Sequence, residues 1–431
     1  MKQFRLLLTS VLLLWLTSAQ AQKYVGGDIS LLPTYEEHGA IYMDKDGQPI
    51  SDMLSFLKEQ GWNAIRVRLF VDPSQAPDEA KGQGVRQDLE YVKAFGKRIK
   101  DAGFSFILDF HYSDTWADPG QQLYPKSWLI WSWTPEQTVY NYTKESLEAL
   151  VAAGATPDFI QTGNEISFGM LWGTMDDVGW YEEDVQNGGG LKPNDQWTDY
   201  EDYHWDNFSE MLKSASKACR EICPEAKIII HTEQCANNPT LDVAFFKHIE
   251  KYEIDYDIIG TSYYPYYKGL ISNLDKGLKE LETNFPDKQI MVVETGCGYR
   301  WSLGDIDQGY ENSYWGQRQF TEDLITMLNK HPKVNGLFWW FPEANEYGLD
   351  WNTQRVTDGW YNAGLFDNST GCALPALYEL KKFNEGGTRL ETIKAERQKE
   401  DAWYTLGGKM LNGKPDINGL YINNGQKLIV R

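Results

Sequence analysis

Residues 158–165 read Asp-Phe-Ile-Gln-Thr-Gly-Asn-Glu, an apolar strand-like run that ends in a carboxylate. Residues 289–294 repeat this arrangement as Gln-Ile-Met-Val-Val-Glu. Parallel strands that are covered by helices on both faces of a sheet read as near-continuous apolar runs. A glutamate at the end of such a strand is costly to bury unless it faces a polar cavity. The two stretches therefore predict buried parallel strands whose ends open onto a polar site.

Strand-like and amphipathic helical stretches alternate along the chain on either side of these two runs. This alternation predicts an α/β protein, a (β/α)8 TIM barrel that forms a single domain with long βα loops, rather than an open sheet. The predicted strands are Tyr24–Ser30, Ala64–Phe70, Phe104–Phe110, Asp158–Thr162, Lys227–Thr232, Asp257–Ser262, Gln289–Val293 and Gly336–Trp340. The predicted helices are Asp52–Gln60, Asp88–Ala102, Pro135–Ala153, Trp205–Ile222, Leu241–Tyr252, Leu270–Phe285, Trp315–Lys330 and Ala376–Asn384.

Composition narrows the class of protein. Hydrophobic residues make up 42% of 431 residues, which is enough for a large core and excludes a mainly disordered chain. The net charge of −21, without a basic patch, argues against nucleic acid as a partner. The 17 Trp, 25 Tyr and 18 Phe exceed what such a core needs, and many fall in the loops after the third, fourth, seventh and eighth strands. Those loops build the active site of a barrel, so aromatic faces there indicate a ring-shaped ligand such as a sugar.

The ends of the chain carry two further expectations. Lys2 and Arg5, an apolar run over residues 6–16 and the small residues Ala19 and Ala21 predict a signal peptide over residues 1–21, cleaved after Ala21. The protein is then secreted or periplasmic, and no membrane association is expected after removal of the signal. Residues 22–384 are assigned to the catalytic barrel. Residues 385–431 are polar and are expected to pack on or beside it as a C-terminal extension.

The two strand-end glutamates, Glu165 and Glu294, are the candidate catalytic groups. In a barrel, the ends of the fourth and seventh strands face each other across the mouth. Glycoside hydrolysis uses two carboxylates that flank the scissile bond, one as general acid and one, in retaining enzymes, as nucleophile. The acid must hold its proton near neutral pH, which requires burial or a charged neighbour. Asn164, directly before Glu165, is suited to hold a sugar hydroxyl.

Several motifs make this sequence similar to a known family. They are residues 66–69 with 72–73, residues 109–114 with 116–119, residues 163–166 with Gly169, Leu171 and Trp172, residues 260–265, and residues 293–295. The chain resembles the clan of retaining glycosidases with an eight-fold barrel. Within that clan it resembles glycoside hydrolase family 53, the arabinogalactan endo-β-1,4-galactanases. The similarity runs from about Gly26 to Asn384. The run His-Tyr-Ser-Asp over residues 111–114, together with Trp-Ala-Asp-Pro over residues 116–119, is the most specific part.

The resemblance implies roles for the catalytic pair and the residues beside it. Glu165 is the general acid and base, and Glu294 is the nucleophile. Arg66 is expected to hydrogen-bond the nucleophile and keep it ionised, although Arg68 shares its face of the strand. Asn164 and His111 are expected to contact the sugar, and Asp109 to orient His111.

Further substrate-binding residues come from the loops and from the last strands. Tyr263 is expected to reach the nucleophile, with Tyr264 as the alternative because a slip of one residue reverses which side chain points inward. Trp116 and Trp340 are expected to be sugar platforms. Asp114, like Asp118, either binds hydroxyls or caps its loop. The implied partners are galactan and galacto-oligosaccharides, and the enzyme is expected to be a monomer.

Three alternatives stay open at this stage. A mannanase or xylanase of the same clan would share the barrel and the glutamate pair, and a non-catalytic carbohydrate-binding protein would share the aromatic loops. A metal hydrolase could use Asp109-x-His111 with His231-x-Glu233, but this spacing defines no ligand set.

The resemblance does not decide whether a structural calcium ion is bound, and the sequence departs from the family pattern after the eighth strand. No cofactor and no catalytic metal is expected. Some family members would imply a structural calcium ion between the loops after the seventh and eighth strands, but Asp305 and Asp307 are too few ligands for it. The eighth strand exits as Trp340-Phe341-Pro342-Glu343, where the family pattern leads us to expect an acidic residue directly before the proline.

Overall fold

Eight parallel strands close into one barrel, with each strand beside its neighbour in the chain and the first strand beside the last. The computed structural model describes residues 22–128, 134–174, 202–304, 306–385, 403–405, 410–411, 415, 419–423 and 426–430. The strands are β1 (Tyr24–Asp28), β2 (Ala64–Leu69), β3 (Ser105–Phe110), β4 (Phe159–Thr162), β5 (Lys227–Thr232), β6 (Ile258–Tyr263), β7 (Gln289–Thr295) and β8 (Val334–Trp340). The predicted fold class is confirmed.

Helices occupy the gaps between the strands, and polar side chains set where several of them begin. The helices are α1 (Leu32–His38), α2 (Met53–Glu59), α3 (Asp78–Gly82), α4 (Leu89–Asp101), α5 (Pro135–Ala152), α6 (Asp202–Ile222), α7 (Pro239–Lys251), α8 (Pro265–Lys268), α9 (Ile271–Asn284), α10 (Tyr314–Leu328) and α11 (Pro375–Glu379). The side chains of Asp52, Asp88, Asn238 and Ser313 accept hydrogen bonds from the first helical turns. The short helices α1, α3 and α8 were not among the sequence predictions.

The inside of the barrel follows the two-residue period of its strands. A buried apolar cluster takes one residue or two from each of seven strands, β2 to β8, with Tyr24 of β1 packed against it: Ala64, Ile107, Phe159, Ile229, Ile258, Met291, Val293 and Phe338. Two and four residues further along, the same faces carry polar side chains such as Arg66, Arg68, Asp109, Gln161 and His231, all fully buried. The barrel is therefore apolar at its base and polar toward its mouth.

A bulge in β7 sets the direction of the side chain of Glu294. The prediction ended this strand at Val293, but the strand continues to Thr295. Its pairing with both β6 and β8 shifts by one residue around Val293 and Glu294. Strict alternation would turn Glu294 away from the barrel, because Met291 and Val293 already face inward. The extra residue at the bulge lets Val293 and Glu294 both point inside.

Two smaller sheets lie outside the barrel. A short ladder joins Leu123–Tyr124 to Gly173–Thr174, and so links the loops after β3 and β4. Near the C-terminus, Trp403–Thr405, Met410–Leu411, Gly419–Asn423 and Gln426–Val430 pair into a four-stranded antiparallel sheet. The packing of this extension on the barrel stays a prediction. The predicted signal peptide, residues 1–21, lies outside the described residues. In the part of the chain that is described, no helix has the length and apolar character needed to cross a membrane.

Candidate active site

A network of buried charges forms the floor of the barrel mouth, and Arg66 lies at its centre. The Nη1 atom of Arg66 is 2.9 Å from Asp28 Oδ2, and its Nη2 atom is 2.8 Å from Asp109 Oδ2 and 2.9 Å from Asn164 Oδ1. Arg68 Nη1 donates to the other oxygen of Asp28 at 2.7 Å. A fully buried guanidinium needs such anionic and amide partners to offset the loss of its hydration.

Glu294 stands on this floor with positive and hydrogen-bonding partners. Its Oε1 atom lies 2.9 Å from Arg66 Nη1, and Tyr264 Oη donates to its Oε2 at 2.8 Å. Burial raises the pKa of Glu294 to about 7, while the charge of Arg66 and the hydrogen bond from Tyr264 act in the opposite direction. Both partners favour the ionised carboxylate, as a nucleophile requires.

Glu165 has a different environment, which favours its protonated form. Burial raises the pKa of this side chain well above its usual range, and the negative charges of Glu294 and Glu233 add to the effect. Its backbone has φ 47°, in the left-handed region that only a few residues other than glycine adopt. Its N–H lies 3.3 Å from His231 Nδ1. Strain of this kind is kept where surrounding contacts hold a residue in place for a function.

An open cavity of about 410 Å³ lies above the two glutamates. Its walls combine carboxylates with large aromatic side chains, and among its lining residues are Glu165, Glu294, Glu233, Asp118, Trp116, Trp340, Trp360 and Tyr267. This size is within the range of small-molecule sites. Two buried carboxylates, of which Glu294 has an arginine and a tyrosine that favour its ionised form, lie beside flat aromatic faces. Such a site is suited to the cleavage of a sugar polymer.

Comparison with known proteins identifies the family of this site. The model of glycosyl hydrolase family 53 matches residues 24–380, which includes all eight barrel strands. The chain belongs to glycosyl hydrolase family 53. The family suggested by the sequence motifs is thus confirmed, and with it the class of enzyme, a glycoside hydrolase.

Individual proteins resemble the chain over most of their length. The catalytic domain of a family 53 enzyme from Ignisphaera aggregans superposes with a TM-score of 0.69 at 31% identity, and the match covers 83% of this chain and 95% of that one. A probable arabinogalactan endo-β-1,4-galactanase A of Neosartorya fischeri is 29% identical over 80% of this chain and 94% of its own. An endo-β-1,4-galactanase of Bacillus subtilis is 26% identical over 84% and 86%.

Most of the residues predicted for the family 53 site come together at the cavity. Glu165, Glu294, Asn164, Trp116 and Trp340 line it. Arg66 and Asp109 lie directly beneath, in the network described above. Of the two arginines, Arg66 contacts Glu294, whereas Arg68 lies 4.7 Å from the Trp340 ring and 5.0 Å from that of Trp116.

The predicted position of Tyr263 in the site is wrong, and Tyr264 takes its place. Tyr263 points out of the barrel, where its hydroxyl donates to the Gly269 carbonyl at 2.7 Å. Ile258 faces the inside of the barrel, and every second residue after it does the same. This set includes Ser262 and Tyr264 but not Tyr263. Both faces of β6 are buried, so the apolar pattern carried no sign of which set of alternate residues faces the barrel interior.

Two other predicted sugar contacts do not lie in the cavity. Both ring nitrogens of His111 face the protein: Nδ1 accepts from the Ala117 N–H at 3.0 Å, and Nε2 is 3.1 Å from Asp109 Oδ2. His111 therefore braces the loop that carries Trp116. Asp114 accepts from the N–H groups of Asp72 and Lys126, each at 2.9 Å. It joins loop segments, which is the loop-capping alternative for this residue.

The sequence prediction did not assign Glu233 and His231 to a glycosidase site. Glu233 follows β5, lines the cavity and is 2% exposed, and its Oε2 accepts from Ser167 Oγ at 2.7 Å. His231 Nε2 lies 2.8 Å from Ser262 Oγ, and burial and Arg66 keep its pKa well below the usual range. The signal in the sequence was that His231 and Glu233 stand at alternate positions near the end of a predicted barrel strand. From the sequence, this pair is interpreted only as possible metal ligands.

The sequence raised two metal sites, a structural calcium ion and a metal hydrolase. Over the described residues no three His, Cys, Asp or Glu side chains converge as ligands. Asp307 Oδ1 is engaged by the Gly309 N–H at 2.9 Å, and Asp305 lies outside the described residues. At the barrel mouth, Asp109 forms an ion pair with Arg66 instead, with 2.8 Å between Oδ2 and Nη2. Side chains of these four types therefore form no metal-ligand set among the described residues.

Proposed function

We propose that the protein is a retaining endo-β-1,4-galactanase that hydrolyses the β-1,4-galactan of type I arabinogalactan by double displacement. The contrast between the two glutamates carries the proposal. Glu294 has Arg66 and Tyr264 beside it, whereas Glu165 has no ion pair within the described residues and has two carboxylates near it. One group is thus set to attack and the other to deliver a proton.

The first step forms a covalent glycosyl-enzyme. A Glu294 oxygen attacks the anomeric carbon as the bond from that carbon to the leaving oxygen breaks, and Glu165 transfers its proton to that oxygen. In the second step Glu165, now ionised, takes a proton from water, whose oxygen attacks the same carbon and releases Glu294. Two inversions at one carbon retain its configuration. Asn164 lines the cavity, and we expect its amide to hold the hydroxyl next to the reacting carbon.

The choice of galactan is supported by the names of the family 53 relatives and by the form of the cavity. The relatives from Neosartorya fischeri and Bacillus subtilis carry galactanase names. The cavity is an open cleft with Trp116 and Trp340 on one wall, which suits an internal stretch of a polymer. A mannanase or a xylanase would need the same glutamates, so the substrate must be tested directly.

Location and assembly complete the proposal. The basic N-terminus, the apolar run and Ala19-x-Ala21 support secretion or a periplasmic location with cleavage after Ala21. Galacto-oligosaccharides are the expected products. A cleft formed by one barrel contains the whole catalytic pair, so a monomer is sufficient for activity.

A digest of galactan, mannan and xylan tests the reaction. We expect galactan alone to be shortened rapidly, with the β-configuration retained in the first products. Glu294→Ala is expected to lower kcat by about 10⁴-fold or more while galacto-oligosaccharides still bind, because the nucleophile is lost and the aromatic walls remain. Hydrolysis at the wild-type rate in this variant, or inverted products, would contradict the mechanism. Preferential cleavage of mannan or xylan would contradict the substrate.

A further inference from the structure

Two loops at the rim of the cavity are joined to each other by side chains. We name residues 296–313, after β7, and residues 341–374, after β8, the rim loops. The second rim loop carries Trp360, which lines the cavity. An aromatic side chain on a long loop binds a sugar well only if the loop is already held in place. A loop that becomes ordered on binding costs free energy, and this cost lowers the affinity.

Arg300 of the first rim loop reaches across to the second. Its Nη2 atom is 2.7 Å from Asp367 Oδ2 and 2.8 Å from Ser369 Oγ. Asp367 is 3% exposed, and it also accepts a short hydrogen bond from the Tyr314 hydroxyl, at the start of α10. Burial alone would raise the pKa of Asp367, but the hydrogen bonds it accepts, from Tyr314 among others, and the charge of Arg300 keep it below the usual range. The link is thus a charged one at working pH.

The backbone around Arg300 is fixed by a second contact between the loops. Asn362 Oδ1 accepts from the Arg300 N–H at 2.9 Å and from the Trp301 N–H at 3.3 Å. The carbonyl of Asn362 accepts from the Tyr299 N–H at 3.1 Å. Arg300 therefore bridges the loops through both its main chain and its guanidinium.

This bridge lies two residues from Trp360, whose backbone is strained. Trp360 has φ 70°, in the left-handed region that costs a bulky residue about 1–3 kcal/mol. Its ring stacks on Phe341 with 6.3 Å between centroids and lies 6.2 Å from that of Tyr264. Such a conformation persists only where the surrounding structure fixes the backbone. Asn362, two residues further along the chain, is fixed by its hydrogen bonds with the main chain of residues 299–301.

We propose that Arg300 is a positioning residue that holds Trp360 as a sugar platform, and that its guanidinium joins the rim loops without a divalent cation. The inference rests on the proposed galactanase activity. Among the described residues of these two loops, no three His, Cys, Asp or Glu side chains converge as metal ligands. A cation is present at their junction, but it is supplied by the chain itself.

Arg300→Met tests the bridge, and Arg355→Met is the matched control. Arg355 pairs with Glu346 and Asp358 and stacks on Trp351 at 3.8 Å, so all of these contacts stay within the second rim loop. We expect Arg300→Met to raise KM for galactan about tenfold with kcat within about twofold of wild type, because the reacting groups are untouched. Arg355→Met is expected to leave both constants within about twofold. Arg300→Lys should recover part of the loss in KM.

Chelation and thermal unfolding complete the experiment. EDTA is expected to leave the KM and the Tm of the wild-type enzyme unchanged, and added Ca²⁺ should not restore KM in Arg300→Met. An EDTA-sensitive KM, or a KM in Arg300→Met equal to that of wild type, would overturn the inference. A lower Tm without a change in KM would also overturn it, since Arg300 would then have a structural role only. A wild-type enzyme without activity on galactan would instead overturn the proposed function.

Discussion

At the scale of single residues, two glutamates in one cavity differ because their neighbours differ. Arg66 and Tyr264 stabilise the negative charge of Glu294, whereas Glu165 has the charges of Glu294 and Glu233 nearby. Burial acts on both carboxyls. At Glu294 the charge of Arg66 and the hydrogen bond from Tyr264 oppose it, whereas at Glu165 only a hydrogen bond with Ser262 is set against burial and the two carboxylates. The assignment of nucleophile and acid depends on these second groups and not on the glutamates themselves.

Tyr264→Phe should make the ionisation of Glu294 harder. The hydroxyl of Tyr264 lowers the pKa of Glu294, so its removal is expected to raise that pKa by about one unit. The acidic limb of the pH profile of kcat/KM, which reports Glu294, then moves to higher pH. The basic limb, which reports Glu165, is expected to move by no more than about half as much. The profile of kcat/KM from pH 4 to pH 9 measures it.

Tyr263→Phe is the matched control for this substitution. It removes an identical hydroxyl one residue earlier, where the partner is the Gly269 carbonyl outside the barrel. We expect its pH profile to coincide with that of wild type. An equal displacement of the acidic limb in both variants would show that the hydroxyl of Tyr264 has no specific effect on Glu294.

At the scale of elements, the two-residue period of β8 places one tryptophan in the packed core and the next at the cavity. Trp339 and Trp340 are adjacent and point to opposite faces. Trp339 is fully buried between the barrel and its helices, where its indole donates to the Ala363 carbonyl at 2.7 Å. Trp340 lines the cavity, with Arg68 4.7 Å from its ring. One strand thus anchors the second rim loop on one face and presents a tryptophan to the cavity, the proposed sugar platform, on the other.

Substitution of these two tryptophans should separate stability from activity. Trp339→Ala is expected to lower the free energy of unfolding by about 3–5 kcal/mol, because it leaves a large cavity and an unpaired carbonyl. Trp340→Ala is expected to lower kcat/KM by about tenfold or more with a smaller loss of stability, since its space opens to the cleft. Urea unfolding and galactan kinetics measure the two effects. A larger loss of stability in Trp340→Ala than in Trp339→Ala would contradict this division.

At the scale of the whole molecule, buried carboxyls outside the catalytic pair link stability to pH. Burial raises the pKa of Asp242 to about 7, with a smaller effect from Glu233. Burial and the charge of Asp28 raise the pKa of Glu343 to about 8. In the unfolded chain both groups lose their protons near pH 4. Between about pH 4 and the pKa that each group has in the folded protein, the folded state binds more protons than the unfolded state. The free energy of unfolding therefore falls as pH rises through this range.

The enzyme should therefore be most stable in mildly acidic solution. We expect the free energy of unfolding to decrease from pH 5 to pH 8, with each group contributing roughly 1.4 kcal/mol per pH unit until its folded pKa is reached. Asp242→Asn and Glu343→Gln should each flatten this decline, because an amide resembles the protonated acid and does not titrate. Denaturant unfolding at several pH values measures the slope. An unchanged slope in the double variant would contradict the assignment.

The sequence by itself determined the barrel and the position of the two glutamates that we propose as the catalytic pair. Long apolar runs such as residues 289–293 can be buried on both faces only when helices cover both sides, and their alternation with helices leaves few other folds. Glu165 and Glu294 at the ends of such runs, with the family motifs around them, located the site. Arg66, Asn164, Trp116 and Trp340 followed from the strands and loops that carry them.

Only the tertiary structure decided which side chains face the cavity. Tyr264 rather than Tyr263 contacts Glu294, because a strand buried on both faces has no polar pattern to show its orientation. The bulge that turns Glu294 inward depends on pairing with β6 and β8, which are distant in sequence. The link from Arg300 to Asp367 joins two loops that no local pattern relates. Local preference and periodicity act along the chain, whereas these contacts arise between segments that meet only when the barrel closes.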